Sequence, residues 1–234
     1  MSSIAAHALI ACVVCAGCGR VSFDDVILDA ASDDASTGPL LVQEAGQAAV
    51  NVTTLSVALS SDPRAHDMLV LVGGGHIGQL LQPTGGSAVW TRAIYSAVHP
   101  NVEIWFGIAD GTRTITIEAF ATTGMSLWVG DWTGLALTDT LDDASAAGLT
   151  TSPASAGSIT ISATPELVIF AVNSYLPNTF GIPTGGTWTE VDTQIGDSMQ
   201  RVWFDIATTV GDVAPVVDET QHRWDAAIAG FRTR

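Results

Sequence analysis

The sequence has no cysteine beyond its first 18 residues. Its three cysteines are Cys12, Cys15 and Cys18 in a chain of 234 residues. The rest of the chain therefore excludes an internal disulfide, a cysteine-ligated metal and a cysteine nucleophile. It also lacks the GxSxG sequence of many serine hydrolases and any pair of histidines at metal-binding spacing. We expect the histidines of the chain body to lie in turns or at the surface: His66, His76, His99 and His222.

The sequence also has no lysine. Its 8 basic residues are all arginine and face 24 acidic residues, which gives a formal net charge of −16. This charge argues against a nucleic-acid partner, because proteins that bind nucleic acid carry basic surfaces. It argues equally against adsorption to anionic lipid, so a membrane link would have to be a covalent lipid.

Short sequences recur at a constant spacing. Three dipeptides return 98 residues later, and Pro-Thr-Gly-Gly (residues 83–86) returns at 183–186, two residues out of step because the first copy inserts Ala88-Val89. A repeat of this length predicts two similar β-units, at about residues 49–135 and 155–233, packed as halves of one sandwich. The recurring dipeptides are Leu69-Val70 with Leu167-Val168, Trp90-Thr91 with Trp188-Thr189, and Trp105-Phe106 with Trp203-Phe204.

Hydrophobic periodicity predicts strands throughout residues 39–234. Residues 53–59, 114–118 and 158–162 alternate apolar and polar side chains, as half-buried strands do. Residues 68–72 and 167–172 are continuously apolar, as expected of central strands covered on both faces. No segment has convincing helical periodicity.

Three segments are predicted to interrupt the strands. The glycine-rich residues 73–78 should form a turn, and residues 139–148 should link the two units. Pro215 cannot donate to a ladder, so its strand should lie at an edge or be lost.

The first 17 residues have the features of an export signal. Their apolar stretch is shorter than the roughly 20 residues that span a bilayer, and it ends in small residues. Ala16-Gly17-Cys18 resembles the lipobox of bacterial lipoproteins, in which signal peptidase II cleaves before a diacylated cysteine. The resemblance implies lipidation of Cys18. Two alternatives stay open. The first is lipidation of Cys12, because the residues before it match the lipobox better, although they leave only a short apolar region ahead of them. The second is an ordinary signal peptide with incidental cysteines.

An acidic segment follows the signal. Residues 18–38 contain five aspartates and end in Ser-Thr-Gly. This composition cannot bury enough apolar surface to fold, and it predicts a solvated tether. Residues 39–234 then have the length of one large sandwich domain.

The body resembles the jelly-roll-like sandwich modules of secreted bacterial proteins, many of which bind carbohydrate. The features that carry the resemblance are alternating strands, Trp-Thr pairs and a tryptophan in each closing strand. The resemblance implies an all-β, antiparallel, jelly-roll-like sandwich and a ligand-binding role. It transfers no catalytic residue. No cofactor is implied.

Tryptophans are the candidate ligand-binding residues, because sugars stack on exposed rings. Alternation places Ile104 and Phe106 on one face of their strand and Trp105 on the other, and Trp203 is placed likewise. Trp105 and Trp203 are therefore predicted as platforms on the outer faces, with core packing as the alternative, and Trp128 is a further candidate ligand-binding residue. Trp90 and Trp188, after the Gly-Gly turns, are expected to be structural.

Carboxylates are the candidate catalytic and metal-binding groups. A glycan hydrolase needs two acids, and Asp131 lies in an apolar stretch where desolvation would raise its pKa. Calcium is the metal that suits this composition, with Asp139, Asp142 and Asp143 as its candidate ligands. The other acids in or beside strands are Glu103, Glu118, Asp205 and Asp225.

Together these features predict an exported, non-catalytic surface module. We expect it to be lipid-anchored in a bacterial cell envelope, facing the periplasm or the exterior, with an extracellular glycan as ligand. Secretion without an anchor is the alternative location. The alternative functions are a structural or adhesion protein that contacts another envelope protein, and a glycan-active hydrolase using Asp131.

Overall fold

The computed structural model describes residues 38–76, 79–96, 101–149, 151–174, 178–191, 199–220 and 223–234. The predicted signal segment, the lipidation candidates Cys18 and Cys12, and nearly all of the predicted tether lie outside the described residues. His99 and His222 also lie outside them.

The first sheet contains five antiparallel strands in the spatial order β1-β5-β2-β4-β3. The edge strand β1 and its neighbour β5 are much longer than the rest, and both bend near the middle, where the register shifts around Asn51. The strands are β1 (Leu40–Ala58), β2 (Met68–Gly75), β3 (Thr91–Tyr95), β4 (Asn101–Ile108) and β5 (Thr114–Thr133).

The second sheet contains five antiparallel strands in the order β6-β12-β8-β10-β9, and β7 pairs separately with β11. Its strands are β6 (Leu141–Leu149), β8 (Glu166–Ser174), β9 (Thr189–Glu190), β10 (Met199–Ala207) and β12 (Trp224–Arg232), with β7 (Ile159–Ile161) and β11 (Gly211–Val213) beside them.

These strands confirm an all-β, antiparallel sandwich, and the described residues contain no helix. The two sheets have the same order of strands when each is counted along its half of the chain. Trp105 and Trp203 also match, because each lies on the fourth strand and pairs with the second and third. Leu69 and Leu167 do not match: Leu69 packs outside its sheet and Leu167 between the sheets. The duplication of the whole unit stays a prediction.

Three hydrophobic cores explain the arrangement. A middle core lies between the sheets and takes residues from both, including Val70, Trp128 and Ile169. Each sheet also has an outer core on its far face. In the first half, the bent ends of β1 and β5 carry Leu55 and Ile117 over that face. Consequently β2 and β8 are buried along their whole length, as their apolar runs predicted.

The prediction of a turn at residues 73–78 was wrong at its start, because Gly73, Gly74 and Gly75 continue β2 as buried strand residues. Glycine is required there by crowding. A Cβ on Gly74 would lie 2.6 Å from Gln200 Oε1 and 2.7 Å from Ser126 Oγ. Gly74 therefore makes room for polar side chains between the sheets, whereas Gly73 makes room for the side chain of Leu80.

The prediction that residues 139–148 form a link was also wrong, because most of them form β6, an edge strand of the second sheet. Leu141, Ala144 and Ala146 pack against the middle core. Alanine is a weak strand signal, so this segment is held by burial of one face rather than by propensity. At Pro215 the prediction was right: β11 ends at Val213, and the ladder does not continue through the proline.

Candidate functional site

Trp105 lies on the outer face of its sheet, as alternation predicted, but it is only 5% exposed. The outer core covers it, and the Arg92 guanidinium lies 4.4 Å from the ring centroid. Arg92 is fixed by Glu103, whose Oε2 lies 3.2 Å from the Arg92 Nε. The prediction of a solvent-facing platform was therefore wrong for Trp105, because the face opposite the middle core has its own apolar cover.

Trp203 is also on the outer face and is 1% exposed. Its ring stacks on Phe170, with centroids 5.6 Å apart and 23° between the planes, and Phe180 packs edge-on against it. Trp128 is 1% exposed and lies in the middle core, where its indole N–H donates to Glu44 Oε2 at 2.8 Å. None of the three predicted platforms presents a ring to solvent.

The ion pair beside Trp105 has a counterpart of reversed polarity. In the first half Arg92 is on β3 and Glu103 on β4; in the second, Glu190 is on β9 and Arg201 on β10, 3.3 Å apart. Burial raises the pKa of Glu103, while N–H donors and Arg92 act in the opposite direction. Both pairs join the edge strand to its neighbour.

Trp188, which was expected to be structural, packs against the outer core of the second sheet, with its ring centroid 5.9 Å from that of Phe170. All seven tryptophans lie within the described residues, and six are buried while Trp188 is partly exposed. Its indole N–H donates to Thr184 O at 3.2 Å, as that of Trp90 donates to Gly85 O at 2.9 Å. The repeated Pro-Thr-Gly-Gly turn is thus tied to the tryptophan that follows it in both halves.

The two turns differ in sequence by the two-residue insertion in the first copy. Trp90 is 4% exposed, and the inserted Val89 is 67% exposed. The second copy has no equivalent of Ala88-Val89, so its turn is shorter, and its tryptophan is partly exposed.

A pocket of about 240 Å³ adjoins Trp188, and we call it the Trp188 pocket. Residues 185–187 form one wall and residues 205–213 the other. Gly186 separates the indole from the carboxylate, because a Cβ there would lie 2.8 Å from Trp188 Nε1 and 2.5 Å from Asp205 Oδ2. Asp205 Oδ2 accepts the N–H of Thr187 at 3.1 Å, which fixes its orientation. The pocket is therefore lined by the Asp205 carboxylate and the exposed residues Thr208 and Thr209, and Trp188 lies next to its wall at Gly186 without lining it.

A second pocket, of about 320 Å³, lies at the corresponding turn of the first half. Residues 82–85, Ser87, Ala88 and Trp90 line it. Because Trp90 is buried and Ser87 Oγ is engaged with Val89, this pocket offers fewer groups to a ligand.

Asp131, the predicted catalytic acid, is 0% exposed and accepts the Gln43 amide N–H at 2.9 Å. Asp67, beside the start of the neighbouring strand β2, is 6% exposed and is the second acid nearby. Burial raises the pKa of both carboxyls, and the charge of Asp131 raises that of Asp67 further. An acid pair thus exists, but both carboxyls are enclosed, so the arrangement does not support a hydrolase.

The calcium candidates are not gathered around one point. Asp142 accepts the N–H and hydroxyl of Ser162 and bonds to Arg232, while Asp143 accepts the N–H groups of Ala144 and Thr160. Within the described part of the chain, no cluster of three histidine, cysteine or acidic side chains could hold a metal ion. Asp139 has a positive φ of 49° and lies in the turn before β6.

Two further buried carboxyls stand out in the second sheet. Burial raises the pKa of Asp225 to about 7. A hydrogen bond from the Ser96 hydroxyl acts in the opposite direction, because it favours the ionised form. Burial and the neighbouring Asp142 raise the pKa of Glu166 to about 8. Glu166 was missed from the sequence because it stands at the start of a strand with nothing in its neighbours to mark it as buried.

No family model, curated protein or solved structure matches this chain. None of the described residues belongs to a helix long and apolar enough to cross a membrane. The function is therefore inferred from the residues and their geometry.

Proposed function

We propose that this protein is an exported, non-catalytic binding module that takes a glycan in the Trp188 pocket. The observation that supports the proposal is that the partly exposed Trp188 lies close to Gly186, which lines a polar pocket. Rings that are buried cannot stack on a sugar, so Trp188 replaces Trp105, Trp203 and Trp128 as the aromatic group of the site.

The chemistry of the pocket suits a neutral, polyhydroxylated ligand. The Asp205 carboxylate accepts hydrogen bonds, and the hydroxyls of Thr208 and Thr209 both donate and accept. A net charge of −16 disfavours phosphorylated or otherwise anionic ligands. A volume of about 240 Å³ is enough for one sugar ring, so we infer recognition of a terminal or single residue of a glycan.

We further propose that a lipid on Cys18 holds the module in a bacterial cell envelope, facing the periplasm or the exterior. The lipobox-like Ala16-Gly17-Cys18 and the acidic segment after it support this location. The alternative site of lipidation is Cys12, and the alternative location is secretion without an anchor.

A glycan array followed by titration tests the binding proposal. Trp188→Ala should weaken binding to the sugars that the native protein retains by about 1–3 kcal/mol, roughly 5- to 150-fold. Asp205→Asn should also weaken it, because the amide keeps an acceptor for Thr187 and loses the charge. Val89→Ala, at an exposed position by the other turn, is the matched control and should bind as the native protein does. Equal binding by all variants, or no retained glycan, contradicts the proposal.

A structural or adhesion role is the second candidate, and β1 supports it. β1 has 19 residues at the edge of the first sheet, with Glu44 as its sole charged residue and no proline. Three of its apolar side chains are exposed: Leu40 by 62%, Val42 by 47% and Val50 by 42%. Edge strands of this length and composition are open to pairing with a strand of another protein.

Lysine substitutions test this second candidate. Val42→Lys and Val50→Lys should abolish co-purification with an envelope protein if β1 is the contact. Phe120→Lys, at a position 82% exposed on β5, is the control and should leave the contact intact. Unchanged partners in both β1 variants would exclude pairing through this edge.

A further inference from the structure

The four edge strands of the two five-stranded sheets differ in how they are protected from pairing with another strand. β3 has 5 residues and carries Arg92, and β9 has only 2 residues. β6 carries Asp142 and Asp143, which accept the N–H groups of Ser162 and Thr160 and so hold the segment around β7 beside it. β1 is the fourth edge, and among the described residues its only strand neighbour is β5. Its other side is open.

The open edge contains a regular stretch that is symmetric about Gly46. Seven successive residues, Gln43 to Ala49, pair with seven successive residues of β5. The register shifts on both sides of this stretch, next to Val42 and next to Val50. These two valines are 47% and 42% exposed. The stretch is therefore bounded at each end by a bulge with an exposed valine beside it.

This symmetry fits antiparallel pairing of β1 with the same strand of a second copy. A two-fold axis at Gly46 would place each residue opposite the one that lies equally far on the other side of Gly46. The exposed Val42 would then meet Val50 of the second copy at both ends of the pair. Within the regular stretch every longer side chain would face an alanine. The opposed residues, one from each copy, are Gln43 with Ala49, Glu44 with Ala48, and Gln47 with Ala45.

The charge of β1 also suits a second copy. Two chains with a net charge of −16 repel each other, but the sole charged residue of β1 is Glu44. Its Oε2 accepts the indole N–H of Trp128 at 2.8 Å. In this register the two Glu44 residues would be four positions apart along the pair, about 14 Å, which exceeds the Debye length of about 8 Å at physiological ionic strength. No like charges would lie directly opposite each other.

We propose that β1 pairs with β1 of a second copy about a two-fold axis at Gly46 and joins the two first sheets into one. The pairing satisfies the open backbone groups of both edges. It stops at a dimer, because the same strand of each copy is used up. It gives β1 a different partner from the envelope protein of the second candidate function. It does not rest on glycan binding, because the Trp188 pocket belongs to the other half of the chain.

Sedimentation velocity of the purified protein over a range of concentrations measures the dimer directly. We expect a reversible monomer–dimer equilibrium with a Kd on the order of 10 μM, because a single pair of edge strands is a small interface. The Kd should fall at least about 3-fold between 0.05 and 0.5 M NaCl, because salt screens the repulsion between the two acidic chains. A protein that stays monomeric up to about 1 mM at both salt concentrations would overturn the proposal. The envelope-protein partner would then still be decided by its own co-purification test.

A charge reversal at Ala48 tests the register. Ala48→Lys puts a cation opposite Glu44 of the second copy at two symmetric places, and Ala48→Glu puts an anion there. The lysine variant should dimerise at least about 10-fold more tightly than the glutamate variant. Val89→Lys and Val89→Glu make the same change of net charge at a position that is 67% exposed on a turn, and they should differ by less than about 3-fold. Equal Kd values for the two Ala48 variants, or an equal difference at Val89, would overturn the proposal.

A second pair of variants keeps the test independent of Ala48, which is half-buried and whose replacement could affect folding. Val42→Glu combined with Val50→Lys would place opposite charges at both ends of the dimer, whereas Val42→Lys combined with Val50→Lys would place like charges there. The first should dimerise more tightly, although it is the more acidic chain. A Kd that is equal in the two, or weaker in the first, would overturn the two-fold register.

Discussion

Trp203 stacks on Phe170 across neighbouring strands, with ring centroids 5.6 Å apart and the planes 23° from parallel. Both side chains belong to the outer core of the second sheet. Trp203 is therefore part of what holds the second sheet to its outer core.

Replacing this ring should destabilise the protein. Trp203→Ala should lower the free energy of unfolding by about 3–5 kcal/mol, because the side chain is buried and leaves a cavity. Urea unfolding followed by circular dichroism measures the change. Phe120→Ala, which removes a ring that is 82% exposed, should change stability by less than about 0.5 kcal/mol. Similar losses in both variants would mean that Trp203 is not a core residue.

Gly74 should not tolerate a methyl group. A Cβ there would approach Gln200 Oε1 and Ser126 Oγ to 2.6 and 2.7 Å, so Gly74→Ala should cost about 1–3 kcal/mol of stability. Gly181→Ala is the control, because its Cβ would meet its nearest neighbour at 3.9 Å. A neutral Gly74→Ala would show that the strand ends at residues 73–75 are not crowded.

Asp225 should make the protein less stable as the pH rises. Its folded pKa of about 7 lies above its ordinary value of 3.8, so folding favours the protonated form. The stabilisation is complete below pH 4 and is lost as the pH rises through about 7. Asp225→Asn, which resembles the neutral acid, should remove that part of the pH dependence. A stability difference between the variant and native protein that stays constant from pH 4 to pH 8 would contradict this account.

The fold followed from the sequence where a local pattern determines the outcome. The apolar runs at residues 68–72 and 167–172 identified the buried central strands, and the alternation around Trp105 and Trp203 identified their face. The sequence pattern could not show which residues cover that face. The cover comes from the far ends of β1 and β5, which are distant in sequence and reach Trp105 only after both strands bend.

Strand register was the second feature that the sequence did not predict. The constant spacing of 98 paired Trp105 with Trp203 correctly, but it paired Leu69 with Leu167, which lie on opposite faces. A shift of one residue reverses the face of every side chain in a strand, so a spacing alone cannot assign faces. The exposure of Trp188 and the burial of Trp90 were not predicted, because both tryptophans follow the same Pro-Thr-Gly-Gly sequence.

Lipid anchoring at Cys18 predicts a simple change of compartment. The native protein should partition into detergent, and Cys18→Ala should be released in soluble form or accumulate as uncleaved precursor. Intact mass spectrometry of the mature chain distinguishes the alternatives. An unmodified Cys18 in that chain, or cleavage further downstream, would contradict lipid anchoring at Cys18. A diacylated Cys12 would place the anchor at that residue instead.

The most direct test of glycan binding at Trp188 is the indole region of a nitrogen-15 NMR spectrum. The 7 tryptophans should give separate N–H signals, and Trp188→Phe assigns the one that belongs to the pocket. Adding a sugar retained on the array should shift that signal and leave those of the buried Trp105 and Trp203 in place. Shifts confined to the other tryptophans, or a Trp188 signal that does not move at saturation, would contradict binding in this pocket.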